Sequence, residues 1–414
     1  MFGTDRSVHY RYIISSVDIL IPNKETINVP NGQIVDILIE KDFDTNVYPI
    51  LHLGLTLTPS NIYDILDNKT TVRFRVRVDK YAYNKNDEKY RYKEFAFSEI
   101  FGIYIDDNNA QLDKELYRQT KNIQANATDI TDMYTTYDFF LFKDNDLDAG
   151  RKLINAVLTD CNMSDALTYM LSVAGASNVL MALPDNRNVY NELLIPPITL
   201  IKGINYLQNV YGIYKHGILL FFDMNRTYLI NKRGDATAYS RDEYTSVYIF
   251  CYKSDNENTL AGGCYKDTTR HSYGINISRT NIDMKTTTII EDQLSSTNVI
   301  SVDSKSGASV SVNPDVSHRG TATERVVVNR YNNEYIDEEL MVRKEEKSSI
   351  IETVFFGVDM DILTPNKRFI FAFEDSLVQK RIGGTYRIKK VTFGFEKEGS
   401  ELSVTARAVF VKIS

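Results

Sequence analysis

The stretch GGTYRIKKVTFGFEKEGSELSVTARAVFVKI, Gly383–Ile413, has few ways to fold. Its second half alternates Leu402, Val404, Ala406, Ala408 and Phe410 with Ser403, Thr405 and Arg407, and Glu398–Gly399 supplies a turn. Successive strand side chains point to opposite faces of the pleat, so period two with one apolar face marks a half-buried strand. The segment reads as one long hairpin. It carries no catalytic grouping, and such a ribbon serves to close a β-barrel or extend a sheet.

The same alternation stands near the N-terminus. In TVRFRVRVDKY, Val72, Phe74, Val76 and Val78 share one face and Arg73, Arg75 and Arg77 the other. YAYNKNDEKYRYKEFAF continues it, with a turn at Asn84–Asp87 flanked by Tyr81, Tyr83, Tyr90 and Tyr92. Further strands are expected at 9–20, 26–40 and 49–58, so 1–106 reads as a barrel or sandwich. Residues 107–136 are polar and read as a connector.

The pattern changes over 137–236. Leu153, Ile154, Val157 and Leu158 have helical spacing; MSDALTYMLSVAG offers Ser164 or Asp165 as N-cap and Gly175 as stop. Pro196 and Pro197 precede a helix with the stripe Leu200, Ile201, Ile204, Leu207 and Tyr211. HGILLFFDMNRTYLINKRGD reads as strand, turn at Asp223–Asn225, strand. From 237 strands return, at 245–253, in SSIIETVFFGVDMDI and in KRFIFAFED. Residues 294–323 are Ser/Thr-rich, expected as a loop or extended arm, and 333–347 as a short charged helix. The expected fold is mainly β with an α+β insertion: two β-rich regions, 1–106 and 237–414, flank 137–236.

With 414 residues, the chain has room for roughly two to four domains. The formal charge of -7 argues against a general attraction to DNA or anionic membranes. No apolar run approaches the ~20 residues that span a bilayer. MFGTDRSVHYRY lacks a basic segment followed by an apolar core, so no secretory signal is expected. Cys161, Cys251 and Cys264 are an odd count and give no disulfide framework; reduced thiols are expected. The 27 tyrosines suit half-wet strands and subunit interfaces.

Candidate chemistry is sparse. None of the five histidines lies in an H-x-x-x-H or H-E-x-x-H pattern, and Cys251, Cys264 and His271 lack the close pairs usual at zinc sites. No G-x-S-x-G elbow, Walker loop or G-x-G-x-x-G occurs. Asp223 reads as a turn residue rather than a strand-end acid, and Arg233–Gly234–Asp235 as an ordinary turn. The sequon Asn225–Arg226–Thr227 means little without a secretory route. The Arg73–Arg75–Arg77 row fits single-stranded nucleic acid or, more plainly, a solvated or intersubunit strand face, and the acidic total argues against nucleic acid. No catalytic residue, metal or cofactor is expected.

LTPNKRFIFAFEDSLVQKRIGGTYRIKKVTFGFEKEGSELSVTARAVFVKI resembles the C-terminal barrel of baseplate hub proteins of contractile-tailed bacteriophages. LIPPITLIKGINYLQNVYGIYKHGILLFFDMNRTYLI is similar to the α+β insertion of that family. The order barrel, insertion, barrel matches over nearly the whole chain. The resemblance implies two tail-tube-like barrels per chain and a homotrimer, whose six barrels join the hexameric tail tube to a three-fold central spike or needle. It implies contact with the tube protein, the spike and surrounding wedge proteins. DNA would pass only as channel cargo, with no membrane contact and no bond-making. The protein would belong to the virion baseplate, assembled in the host bacterial cytoplasm.

On that reading the ring interface is expected at Val72, Phe74, Val76, Val78, Tyr90, Tyr92 and Phe95, and at Tyr386, Ile388, Phe393, Leu402, Val404 and Phe410 of the closing hairpin. The α+β region would lie outside and meet other baseplate parts. Three rivals stand beside it. A tail-associated cell-wall hydrolase would normally carry a further catalytic domain, and none is expected after the closing hairpin. A β-barrel adhesin would gather exposed aromatics in a groove. The hub of a related contractile injection machine, such as a tailocin or secretion-system spike, would use the same fold; no fused needle domain is seen.

Overall fold

A computed structural model describes residues 8–84, 87–103, 134–252, 263–278, 282–285, 299–303, 325–329, 333, 335, 350–398 and 401–413. The chain enters as β1 (Val8–Leu20), β2 (Ile27–Val29), β3 (Ile34–Asp42) and β4 (Ile50–Leu57). Helix α1 (Pro59–Asp67) follows, capped by Thr58 Oγ1, which accepts from Asn61 N at 3.4 Å. Pro59 sits in the first turn, where a missing N–H removes no helical bond. β5 (Arg73–Asn84) and β6 (Asp87–Ile103) form the expected hairpin, and β7 (Thr135–Lys143) pairs with both β4 and β6.

The α+β elements begin at Asp144: α2 (Asp144–Arg151), β8 (Leu153–Asn162), α3 (Met163–Ala174), β9 (Val179–Met181), β10 (Val189–Thr199), α4 (Leu200–Val210), β11 (Ile218–Phe222) and β12 (Thr227–Asn231). Leu153–Leu158, expected as helix, is strand β8, paired antiparallel with β10. Spacing i, i+4 puts side chains on one face of a helix and of a strand alike, so LINAVL did not discriminate. The N-cap of α3 is Asn162, not Ser164 or Asp165. Asn162 Oδ1 accepts from Asp165 N at 3.0 Å, while Asp165 Oδ2 accepts from Asn162 N at 3.2 Å, a reciprocal box. Gly175 ends α3 at φ 78, as expected. After Pro196–Pro197, α4 buries Leu200, Ile204 and Leu207, and β11–turn–β12 stands as read.

The remaining strands are β13 (Ser246–Tyr252), β14 (Cys264–Asp267), β15 (Ser272–Ser278), β16 (Ile282–Lys285), β17 (Val299–Asp303), β18 (Arg325–Asn329), β19 (Ile350–Phe356) and β20 (Arg368–Phe373). Helix α5 (Ser376–Ile382) leads into β21 (Gly384–Glu398) and β22 (Glu401–Lys412). Of the Ser/Thr-rich stretch only β17 is described, paired in parallel with β18; the remainder, and the charged helix expected at 333–347 apart from Asn333 and Tyr335, lie outside the described residues.

One hydrogen-bonded sheet holds most of the described strands; β8–β10, β9–β12–β11 and β17–β18 are separate. Its path β14-β15-β13-β20-β21-β3-β4-β7-β6-β5-β1 closes through the Val8–Cys264 pair into a circuit of eleven strands. β22 pairs with both β21 and β1, and so completes an eight-stranded N-terminal ring of β1, β5, β6, β7, β4, β3, β21 and β22. β19 and β16 extend the sheet from the other part of β22. One contiguous apolar core runs through this sheet; a second core, including Met163, Leu167, Leu193, Leu207 and Phe222, belongs to the α+β elements.

Candidate functional site

The closing hairpin is the joint of the molecule. Its base pairs with C-terminal strands: Phe369 opposes Tyr386, and Ile350–Phe356 opposes Thr405–Val411. Its tip pairs with N-terminal strands: Lys390–Phe395 oppose Asp42–Ile37, and Leu402 opposes Tyr12. A bulge between Ile388 and Lys390 marks the change of partner. One extra residue reverses the alternation. The buried set therefore switches from Tyr386 and Ile388 to Val391, Phe393 and Phe395, and one face stays inward in both neighbourhoods.

Nine of the residues expected at the ring interface lie in the interior of the single chain. Val72, Phe74, Val76, Val78, Tyr386, Ile388, Phe393, Val404 and Phe410 are each at most 1 % exposed in the single chain. They form its own core, because an alternating strand turns its apolar face inward. Phe410, for example, meets Phe369 at 4.8 Å and Phe371 at 5.2 Å between ring centroids. The β5 face turned outward carries Arg75 and Arg77. The side chains of Tyr90, Tyr92, Phe95 and Leu402 lie outside the described set.

Three barrel strands carry a lysine in their inward rows. Ile37 and Ile39 are followed by Lys41, Phe74, Val76 and Val78 by Lys80, and Tyr137, Phe139 and Leu141 by Lys143; all are buried. Each ammonium finds partners from distant segments, as buried charge requires. Lys41 Nζ lies 2.6 Å from Asp223 Oδ1. Lys80 Nζ donates to Asp359 Oδ1 at 3.1 Å and Asp361 Oδ2 at 3.0 Å. Lys143 Nζ donates to Met224 O at 2.9 Å and lies 3.5 Å from Asp146 and 3.7 Å from Glu99.

The Lys41 and Lys143 contacts seat the β11–β12 turn against the barrel. Asn225 Nδ2 donates to Ala96 O at 3.2 Å, and Phe222 N donates to Val47 O at 2.8 Å. Arg226 Nη1 donates to Glu243 Oε1 at 2.8 Å, and Asn366 Nδ2 donates to the same oxygen at 2.9 Å. A second anchor holds the hairpin itself: the buried Arg387 makes parallel bonds of 2.9 and 3.1 Å to Asp44, which Lys232 also meets at 2.9 Å. Between the barrel, the turn and the 359–367 segment lies a cavity of ≈ 320 Å³ lined by Lys41, Lys80, Asp223, Arg226, Glu243 and Lys367 among others.

Electrostatics follow from burial. Burial pushes the Asp146 carboxyl up to about 6; Lys143 opposes this and Glu99 and Asp223 add to it. Burial, then Asp361, also raises the Asp359 carboxyl against the pull of Lys80. Burial works to raise Asp44, but Arg387 and Lys232 outweigh it and hold that carboxyl below its ordinary value.

The cavity-wall carboxylates of Asp223, Glu243 and Asp361 are all engaged by cations, which fastens the elements that carry them together. Asp223, read as a turn residue, is such a turn residue and also an ion-pair partner. Cys251 and Cys264 are buried, and burial pushes the Cys264 thiol up to about 12, away from the thiolate that metal binding needs. Among the described residues no group of three or more His, Cys, Asp or Glu is placed to hold a metal ion. The lysines were missed from sequence, although a lysine continuing an apolar row was the available signal.

Residues 9–413 match the family model described as Bacteriophage PBS1 gene 109 protein. Among solved structures, the tail protein from Neisseria meningitidis MC58 is similar with a TM-score of 0.50 at 10% identity, over 97% of this chain and 97% of that one. At that identity the likeness is one of fold. The 43 kDa tail protein of prophage MuSo2 from Shewanella oneidensis gives 0.46 at 9% identity, over 96% of this chain and 97% of that one. No curated protein sequence matches.

Proposed function

The chain belongs to the Bacteriophage PBS1 gene 109 protein family, and from that premise we propose that it is the central hub of a phage tail baseplate. Three copies would form a ring that meets the six-fold tail tube on one face and a three-fold spike or needle on the other. The observation that carries this reading is the closing hairpin. It pairs with N-terminal strands at its tip and C-terminal strands at its base, so each chain brings two fused barrel-like units to the ring. Three such chains supply six units, the number a hexameric tube requires.

The work is structural. Ion pairs occupy the charged groups at the junction, which supports a role in holding geometry rather than in making bonds. Surrounding wedge proteins would meet the α+β elements, DNA would pass through the ring as cargo, and assembly would occur in the host bacterial cytoplasm. Because the apolar faces first expected at the interface are buried in the single chain, contacts between copies fall to outward faces such as the Arg75–Arg77 side of β5 and to strand edges. The test is the mass of the purified protein by light scattering across a dilution series, alone and with purified tube protein. A species of three chains is expected. A monomer throughout, with tube protein present as well, would reject the trimeric hub.

A further inference from the structure

Charge is unevenly matched around the junction cavity. Lys41 meets Asp223, and Lys80 meets both Asp359 and Asp361, so each of these cations has at least one carboxylate of its own. At Glu243 two cations lean on one carboxylate. Arg226 Nη1 donates to Glu243 Oε1 at 2.8 Å, and Lys367 Nζ lies 3.6 Å from the same oxygen. Glu243 is otherwise taken up: Asn366 Nδ2 donates to Oε1 at 2.9 Å, and Tyr239 N donates to Oε2.

The same two cations hold donors in surplus. A guanidinium has five N–H groups and an ammonium three. Among the described residues Arg226 makes one hydrogen bond, to Glu243, and Lys367 makes one, of 3.4 Å, to Tyr244 O. Lys367 is 4 % exposed, and a buried ammonium is costly unless it is paired and hydrogen-bonded. Burial pulls its pKa below the ordinary lysine value; Glu243 opposes this and Arg226 adds to it. The Tyr239 ring, 4.4 Å from the guanidinium carbon, steadies Arg226. Both cations line the cavity of ≈ 320 Å³, two of whose other lining residues, Ser240 and Asp361, are exposed to solvent.

We propose that the cavity binds a small oxyanion such as phosphate between Arg226 and Lys367. With Nη1 bonded to Glu243, the guanidinium keeps the N–H groups of Nε and Nη2 for two oxygens of the anion, and the Lys367 ammonium meets a third. Arg226 stands in the β11–β12 turn and Lys367 just before β20, so an anion held by both fastens the α+β elements to the C-terminal strands. The carboxylates of Asp223 and Asp361 elsewhere on the wall repel a large polyanion and select a compact one. The site does not depend on the reading of the chain as a hub.

Thermal unfolding of the full chain in phosphate and in chloride at equal ionic strength tests this, together with calorimetric titration of phosphate. A saturable rise in melting temperature on the order of a few degrees, and one phosphate bound per chain, are expected. Arg226→Gln and Lys367→Met are each expected to weaken phosphate binding roughly tenfold. If Lys367→Met does not fold, Arg226→Gln, changed at a half-buried side chain, decides alone. No saturable rise overturns the proposal. An equal rise in the parent and the variants is the general effect of an excluded salt and overturns it too. One phosphate bound with equal affinity by the parent and Arg226→Gln puts the anion elsewhere, with the same consequence.

Discussion

Lys80 Nζ on β5 lies 3.1 Å from Asp359 Oδ1, across 279 residues of sequence, and both side chains are withdrawn from solvent. The pair ties the N-terminal ring to the segment that follows β19. Lys80→Met should destabilise the chain by about 3–5 kcal/mol, because Asp359 is left as a buried carboxylate without its cation. The shift of the urea midpoint measures this. A loss below about 1 kcal/mol would mean that water replaces the ammonium.

The Asp146 carboxyl, raised by burial to about 6, gives a pH signature. A carboxyl with a raised folded value holds its proton more tightly in the fold, so its contribution is full below about 4 and is lost as pH rises through about 6. Asp146→Asn should match the parent chain at pH 4 and exceed it at pH 7 by at most about 3 kcal/mol. Urea unfolding at the two pH values decides. Parallel profiles would count against the assignment.

Asp44 should act in the opposite sense. Its carboxyl is held low by Arg387 and Lys232, so its contribution is present above about 4 and lost as pH falls further. Arg387→Lys removes the paired geometry and should cost about 1.5–3 kcal/mol at pH 7. The same variant should lose less stability than the parent between pH 5 and pH 3, which acid titration of the unfolding midpoint would show.

Phe410 separates core from interface. Its ring is enclosed by Phe355, Phe369 and Phe371 within one chain. Phe410→Ala should therefore cost about 3–5 kcal/mol in the dissociated chain. Calorimetry at low concentration checks it. A variant that melts normally but fails only to associate would restore the interface role first read from sequence.

Gly175 closes α3 at φ 78, in the left-handed region. Nothing lies within 4 Å of the position a Cβ would take, so the penalty is conformational rather than steric. Gly175→Ala should cost about 1 kcal/mol, and Gly175→Asn less, because asparagine tolerates that backbone. Thermal unfolding of both variants would rank them.

Much of this architecture was legible in alternation alone. β5, the β11–β12 hairpin and the closing hairpin follow from period two and their turn residues, and the inward lysines continue rows that the eye can follow: Phe74, Val76, Val78, Lys80. Three things were not legible. LINAVL satisfies strand and helix templates at once, so only tertiary packing decides it. The bulge between Ile388 and Lys390 has no residue signature, yet it sets which side chains of β21 face inward. The partner of an inward lysine depends on which distant carboxylate the topology delivers, and spacing along the chain does not encode that. The apolar rows were visible, but a row shows that a face is buried and not whether its own chain or a neighbour buries it.

The position of the joint hairpin in the chain has a consequence for synthesis. β3 waits for β21, and β1 waits for β22, so the N-terminal ring stays open until the ribosome has delivered residues beyond 400. Such late, long-range pairing is slow and leaves strand edges bare in the meantime. The strands of the N-terminal ring would therefore wait as an unsealed sheet through most of translation.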